Sequence, residues 1–193
     1  MRKRRRSRTR TTYNADKDQT LKEVGSWVIS ILIVMILAYS IVTFGGQTVT
    51  VVGQSMIPTM NHGDQVIVNK LAYKFQSIKR YDLIAYKLRD GEDSYYSVKR
   101  VIGLPGEKVT IKAGDIYIND ELLKDLPHDE YIITEGLCLE GVELQNGEYF
   151  VLGDNVNNSE DSRFGNVGNI IDAEILGKVT YCLFPKERRG NLY

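Results

Sequence analysis

Histidine and cysteine are scarce in this chain, with two histidines (His62 and His128) and two cysteines (Cys138 and Cys182) among 193 residues. Neither pair forms a metal-ligand spacing, so the sequence predicts no metal site and no cofactor. A Ser-His-Asp triad or a Cys-His protease would need one of the histidines, whose contexts, NHGD and PHD, are typical of surface loops. His62 follows Ser55 by seven positions and is the fallback base.

The two cysteines lie far apart in sequence, at Cys138 and Cys182. An extracytoplasmic location would permit a disulfide. The VTYCLF context of Cys182 favours a small buried hydrophobic residue instead. The disulfide state of the pair therefore stays open.

Charged residues are missing altogether from residues 24–63. Before that gap, residues 1–25 hold nine Lys and Arg against three Asp and Glu, whereas residues 46–193 hold sixteen against twenty-two. The apolar run WVISILIVMILAYSIVTF within the gap, with the residues before it, would span roughly 30 Å as a helix, about one hydrocarbon core. Together with the basic flank and aromatic residues toward both ends, this length favours a transmembrane helix at 24–45 over a buried core helix.

The orientation of this helix follows from the seven basic residues among residues 1–10. A cleaved signal peptide is less favoured, because the run is too long and its small-x-small triplet lies inside it. We predict a cytoplasmic basic tail (1–23) and an extracytoplasmic domain (46–193) at the cell membrane. Juxtamembrane basic clusters usually serve topology and anionic lipid, so membrane lipid is the expected partner of the tail and nucleic acid is not.

The part after the helix is rich in β-branched and aromatic residues punctuated by Gly, Asp and Asn. This pattern predicts one mostly β domain with an antiparallel sheet. An acidic, less regular stretch makes residues 107–148 a possible insertion or flap on the main sheet. The predicted strands are 64–73, 81–88, 95–103, 107–114, 115–120, 147–155 and 174–184.

Ser55 lies in the motif GQSMIPT, soon after the predicted membrane span. Gly53 gives backbone freedom and Pro58 constrains the exit, as in a rigid turn that presents a hydroxyl. Met56 and Ile57 are apolar residues on this apparent turn, able either to contact lipid or to line a cleft. The plain alternative is a turn serine that caps backbone groups.

Lys99 lies in the motif YSVKRVIG, where strand alternation puts it on the same face as Ser97 and Val101. A serine nucleophile needs a base, and an unprotonated lysine amine is one of the few candidates. Burial would have to lower the lysine pKa by about 3 units to make it neutral near pH 7. The alternative is a solvated head on a snorkelling stem. Arg100, on the opposite face, is free to pair with an acid elsewhere.

The motifs GQSMIPT, YDLIAYK, YSVKRVIGLPGE and LGDNVNNSEDSRFG resemble, in order, the boxes of bacterial type I signal peptidases. The resemblance implies a membrane-anchored serine endopeptidase that removes signal peptides from secreted preproteins after a small-x-small motif. It implies Ser55 as nucleophile and Lys99 as general base, with Ser159 orienting the lysine. It also implies a bracing network, formed by Asp154, Asp161 and Arg163.

Three positions depart from the commoner pattern of that family. Tyr81 stands where a glycine is usual, which puts the local turn in doubt, and Val156 stands where an arginine is usual. Gly53 stands where some members carry a serine that assists the oxyanion. Backbone N–H groups, including that of Ser55, are therefore expected to stabilise the oxyanion.

Two other functions fit less well. A penicillin-binding or β-lactamase-like acyltransferase needs Ser-x-x-Lys, and the residue three after Ser55 is Pro58. A catalytically inactive relative that acts only as a binding module for secreted chains would be expected to lack the Ser55–Lys99 pair. The sequence therefore favours the peptidase.

Overall fold

A computed structural model describes residues 22–40, 45–88, 96–124, 126 and 130–192. The chain divides into two units, Met1–Phe44 and Gly45–Tyr193. In the first unit, helix α1 (Lys22–Ser40) has 19 residues, is exposed along its length, and is long and apolar enough to cross a membrane. At 1.5 Å per residue it measures about 28 Å. Nearly all of the predicted basic tail, and residues 41–44, lie outside the described residues.

The second unit is mostly antiparallel β-structure, so the predicted fold class is confirmed. One short helix, α2 (Ala72–Phe75), and four 3-10 turns at Gly136–Leu139, Val156–Asn158, Asp172–Glu174 and Lys186–Arg188 interrupt the strands of the described part. The strands are β1 (Gly46–Thr50), β2 (Gln65–Asn69), β3 (Leu83–Lys87), β4 (Tyr96–Gly103), β5 (Lys108–Lys112), β6 (Asp115–Ile118), β7 (Glu121–Leu122), β8 (Val142–Glu143), β9 (Glu148–Leu152), β10 (Ile170–Ile171), β11 (Ile175–Phe184) and β12 (Gly190–Asn191).

The larger sheet has eight strands in the order β1-β2-β11-β3-β4-β9-β10, with β12 paired to β11. Strand β3 is buried on both faces, because Leu83 and Ala85 enter one core cluster and Ile84 and Tyr86 another. Such a doubly buried strand reads as a continuous apolar run rather than as an alternating one. Strand β4 lies between β3 and β9 and pairs antiparallel with both, so its middle residues lie deep inside the unit.

A smaller sheet of four strands, in the order β7-β6-β5-β8, lies within residues 108–143. Its apolar side chains form a third cluster with Ile102 of β4 and Leu152 of β9. This cluster therefore ties the smaller sheet to the strands of the larger one. The sheet falls inside the segment that the sequence marked as a possible insertion or flap.

Two local expectations were wrong. The strand predicted over 64–73 ends at Asn69, because the Asn69 side chain accepts hydrogen bonds from the N–H groups of Leu71 and Ala72 and starts α2. Met56 neither faces lipid nor lines the cleft. Its side chain is buried in the core cluster that also contains Met60, because the turn folds back over the sheet.

Candidate active site

Ser55 lies on the loop between β1 and β2, and buried neighbours fix that loop in place. The Met60 N–H donates to the Met56 carbonyl at 2.8 Å, and both side chains are buried. Gly53 has a φ of +89°, a left-handed conformation that favours glycine. The Gly53 N–H donates to Nδ1 of His62 at 3.1 Å, so the histidine supports the turn.

Lys99 lies in the middle of β4 and reaches the nucleophile turn directly. Its Nζ donates to Oγ of Ser55 at 2.6 Å, within the range that proton transfer requires. The side chain is only 4% exposed, opposite Ile84 of β3. Burial therefore lowers the pKa of Lys99 to about 8.

Four charged groups modify this effect of burial on the Lys99 pKa. The carboxylates of Asp161, Glu160 and Asp154 raise it, and the Arg163 guanidinium lowers it. Desolvation is the largest contribution and sets the direction of the shift. The site therefore holds a lysine whose neutral form is populated near physiological pH.

Asp154 forms a buried ion pair with Arg100, on the face of β4 opposite Lys99. Nε and Nη2 of Arg100 donate to Oδ1 and Oδ2 of Asp154 at 2.7 and 2.6 Å. The Thr59 hydroxyl donates to the same carboxylate. Through these contacts Asp154 links β4 to the end of the nucleophile turn.

Asp161 forms a second buried ion pair, with Arg163 at 2.8 Å. The same carboxylate accepts a hydrogen bond from the Gly153 N–H at 3.2 Å. The Arg163 guanidinium also donates to the carbonyl oxygens of Val156 and Thr134. Asp161 and Arg163 therefore brace the loop that follows β9 from both ends.

Gly153 allows this loop to approach the nucleophile closely. A Cβ atom on Gly153 would lie 2.3 Å from the Ser159 Oγ and 2.5 Å from the Ser55 carbonyl oxygen. That carbonyl also accepts a hydrogen bond from the Asn155 N–H at 2.9 Å. A side chain at Gly153 would therefore displace both serines.

The predicted site residues come together, with one difference in detail. The Ser159 hydroxyl is buried next to the Ser55 main chain, but it has no hydrogen-bond partner among the described residues and makes none with Lys99. The Ser55 N–H likewise makes no hydrogen bond within the described part of the chain. It is thus available to an oxyanion.

An open cleft of about 440 Å³ contains both Ser55 and Lys99. Apolar side chains line part of it, including Val52 and Leu88. Tyr86 also lines it, and burial raises the pKa of this phenol to about 12, so it stays protonated. Glu160 is, with Lys99, one of two charged residues among the described residues that line the cleft.

At two positions that depart from the family pattern, Tyr81 and Val156, the surrounding structure accommodates the different residue. Tyr81 has a φ of +70°, so the turn keeps a left-handed residue without glycine. Its carbonyl accepts a hydrogen bond from Arg100 at 3.0 Å, and its hydroxyl donates to the Lys124 carbonyl at 2.8 Å. Val156 is buried in the core cluster of the smaller sheet, where it packs as an apolar residue.

The two histidines and two cysteines that the sequence raised as candidates are the last to be placed. His62 is exposed, and His128 lies outside the described residues. Cys138 and Cys182 are both free and buried. Within the described ranges, no three His, Cys, Asp or Glu side chains gather as a metal site.

Sequence reasoning missed two residues that hold the site. Thr59 was inside the serine motif, but its partner Asp154 lies 95 positions away and no local pattern pairs them. Asn157 exchanges two hydrogen bonds with residues 131–133, accepting from the Ile133 N–H and donating to the Tyr131 carbonyl. Asn157 thus fastens that segment to the loop that carries Ser159.

Known proteins resemble this chain over most of its length. The family model described as "Signal peptidase, peptidase S26" matches residues 24–184. Signal peptidase IB of Staphylococcus aureus is 32% identical over 180 residues, covering 85% of this chain and 91% of the relative. Signal peptidase I P of Bacillus subtilis subsp. natto is 33% identical over 183 residues, covering 90% and 96%. A crystal structure of a signal peptidase I from Enterococcus faecalis is 28% identical with a TM-score of 0.44, covering 54% of this chain and 98% of that one.

Proposed function

The chain belongs to the signal peptidase family, peptidase S26, as a bacterial type I signal peptidase, and from this premise we propose that Ser55 and Lys99 perform its reaction. The family supports signal-peptide removal by a serine endopeptidase. The assignment of the two residues rests on one observation above all. The Nζ of a buried lysine lies 2.6 Å from the hydroxyl oxygen of the serine.

The proposed reaction begins when the neutral Lys99 amine takes the proton of the Ser55 hydroxyl. The serine oxygen attacks the scissile carbonyl carbon, and the Ser55 N–H donates to the resulting oxyanion. The Lys99 ammonium then returns the proton to the leaving amine as the C–N bond breaks. In the second half, Lys99 takes a proton from water, whose oxygen attacks the acyl carbon of the ester. The Lys99 ammonium then returns that proton to Oγ of Ser55 as the ester C–O bond breaks and the carboxylic acid product leaves.

The ion pairs of the site hold the reacting groups in place rather than reacting themselves. Asp154 with Arg100, and Asp161 with Arg163, fix the loop against which Ser55 packs. For Ser159 we propose that its hydroxyl orients the Lys99 amine during the reaction. Its buried position beside the Ser55 main chain supports this role.

The proposed substrate is a secretory preprotein with a small-x-small motif before the scissile bond. Helix α1 supports a membrane anchor, because its length matches a hydrocarbon core. We therefore propose a cytoplasmic tail (1–23), a transmembrane helix (24–45) and an extracytoplasmic catalytic domain (46–193), with lipid around the helix and nucleic acid not a partner.

The experiment that tests the dyad uses purified full-length protein in detergent and a fluorogenic peptide with a small-x-small site. We expect cleavage by the wild type and none by Ser55→Ala or Lys99→Ala, because the two residues act as a unit. Lys112→Met, at an exposed lysine on β5, serves as the control and should keep full activity. Turnover by a folded Lys99→Ala protein would refute the assignment of the base.

The anchor is tested with a protein truncated to begin near Gly46, assayed in detergent. It should still cleave the soluble peptide, and it should process membrane-bound preproteins far more slowly, because the helix raises the local enzyme concentration at the bilayer. Complete inactivity of a folded truncated protein on the peptide would show instead that the helix shapes the active site.

A further inference from the structure

We propose that Glu160 is a specificity-determining residue that favours preproteins with a lysine or arginine close to the scissile bond. This inference rests on the proposed function, because it concerns the cleft in which Ser55 reacts. It adds a charge preference to the small-x-small rule. The small-x-small motif of the substrate does not itself specify a charged residue.

The position of Glu160 carries the proposal. Glu160 follows Ser159 directly and lines the same open cleft as Ser55 and Lys99. A substrate bound for attack by Ser55 must lie in that cleft. The substrate side chains within reach of the carboxylate are therefore those next to the scissile bond.

The Glu160 carboxylate, unlike the two neighbouring acids, is not paired with an arginine in the described part of the chain. The neighbouring acids Asp154 and Asp161 are buried and fully engaged by Arg100 and Arg163. Glu160 is exposed, and it forms no ion pair or hydrogen bond with any residue in the described part of the chain. Its electrostatic neighbour in the cleft is Lys99, whose pKa the carboxylate raises. A substrate cation would thus meet an acid that no ion pair or hydrogen bond of the described residues holds.

The other lining residues in the described part of the chain leave the charge selection to Glu160. They are apolar, such as Val52, Leu88 and Val167, or polar and uncharged, such as Gln54 and Asn158. Lys99, the second charged residue described there, is buried and its Nζ contacts the Ser55 hydroxyl at 2.6 Å, whereas the Glu160 side chain is exposed. An acidic substrate residue would be repelled by Glu160, so the preference should oppose Asp and Glu as well as favour Lys and Arg.

The size of the effect follows from the exposure of Glu160. Exposed ion pairs are weak and screened by salt, so the preference should be about two- to fivefold in kcat/KM per substrate charge. Raising the salt concentration to 0.5 M should reduce it.

The test uses three peptides that share one small-x-small site and differ at a single flanking position, carrying Lys, Gln or Glu in turn. One such set of three peptides is made for each tested position, which is either the central x of the motif or one of the first residues after the scissile bond. The readout is the ratio of kcat/KM for the Lys and Glu peptides at one pH. This ratio cancels any change in the protonation of Lys99, which a substitution at Glu160 would also affect.

We expect the wild type to prefer the Lys peptide at one or more positions, Glu160→Gln to lose that preference, and Glu160→Lys to reverse it. The matched control is Glu121→Gln, which removes an exposed glutamate outside the cleft and should leave the ratio unchanged. A ratio that is the same in the wild type and in Glu160→Gln at every position would overturn the inference.

The Gln peptide separates this inference from the proposed function. If the wild type does not cleave the Gln peptide, or if Ser55→Ala cleaves it equally, the proposed function fails. If the Gln peptide is cleaved in a Ser55-dependent manner and the ratios do not respond to Glu160, only the charge preference fails.

Discussion

The buried amine of Lys99 is expected to support cleavage, to lower the stability of the fold and to make both depend on pH. Replacing it with an apolar side chain of similar length tests these three expectations. Lys99→Met removes the base and should abolish cleavage. It should also make the protein more stable at pH 7, because a 4% exposed ammonium is then no longer buried in the fold. A substitution that inactivates and stabilises is the signature of a residue kept for function.

The magnitude follows from the pKa of Lys99, which falls from 10.5 to about 8 in the folded protein. Such a shift corresponds to about 3 kcal/mol. The unfolded chain binds this proton more tightly, so the penalty is fully present below pH 8 and disappears as the pH rises toward 10.5. We expect Lys99→Met to gain roughly 1–3 kcal/mol at pH 7, since the lost hydrogen bond to Ser55 offsets part of the relief.

The assay is urea unfolding of the full-length protein in mild detergent at several pH values, together with the pH dependence of kcat/KM for the wild type. The stability advantage of Lys99→Met should narrow between pH 8 and 10.5, and wild-type activity should rise about tenfold per pH unit up to about pH 8. Lys112→Met, at an exposed lysine, should show no such advantage. An acidic limb near the free-lysine value, or a Lys99→Met protein that is less stable at pH 7, would refute the reasoning.

Three further substitutions test the surroundings of the dyad. Gly153→Ala should lower kcat/KM by about 100-fold in a folded protein, because the added Cβ displaces the Ser55 main chain; near-normal activity would contradict this. Ser159→Ala should lower kcat more than it changes KM, without loss of thermal stability because its buried hydroxyl has no described hydrogen-bond partner; an unchanged kcat would leave Ser159 an ordinary loop residue. Tyr81→Gly should be more stable than Tyr81→Ala by about 1 kcal/mol in urea unfolding. Both variants lose the ring, but only alanine is strained in the left-handed conformation of position 81. The reverse order of stability would contradict a left-handed conformation at this position.

The sequence predicted the strands well where apolar and β-branched residues alternate or run together. Strand β4 is observed at Tyr96–Gly103 against a prediction of 95–103, and β11 at Ile175–Phe184 against 174–184. The alternation within β4 also separated Lys99 from Arg100. In the structure Lys99 accordingly forms a hydrogen bond with Ser55, and Arg100 forms one with Asp154 on the other face.

Contacts between distant parts of the chain were beyond the reach of the sequence. Nothing in the serine motif indicates that Met56 is a core residue, since the turn buries it only by folding over the sheet. The pairing of Thr59 with Asp154 likewise depends on how β1 and β9 are brought together. The family pattern predicted which residues form the site, and the distances between them follow from the three-dimensional fold.

The identity of the cleaved bond is the strongest test of the proposed reaction. Purified full-length protein is incubated with a secretory preprotein, and the new N-terminus is sequenced, with Ser55→Ala and Lys99→Met proteins in parallel. We predict a single cut directly after the small-x-small motif with the wild type and an intact preprotein with either variant. Cleavage elsewhere, or a cut at that bond by the folded Ser55→Ala protein, would contradict the proposal.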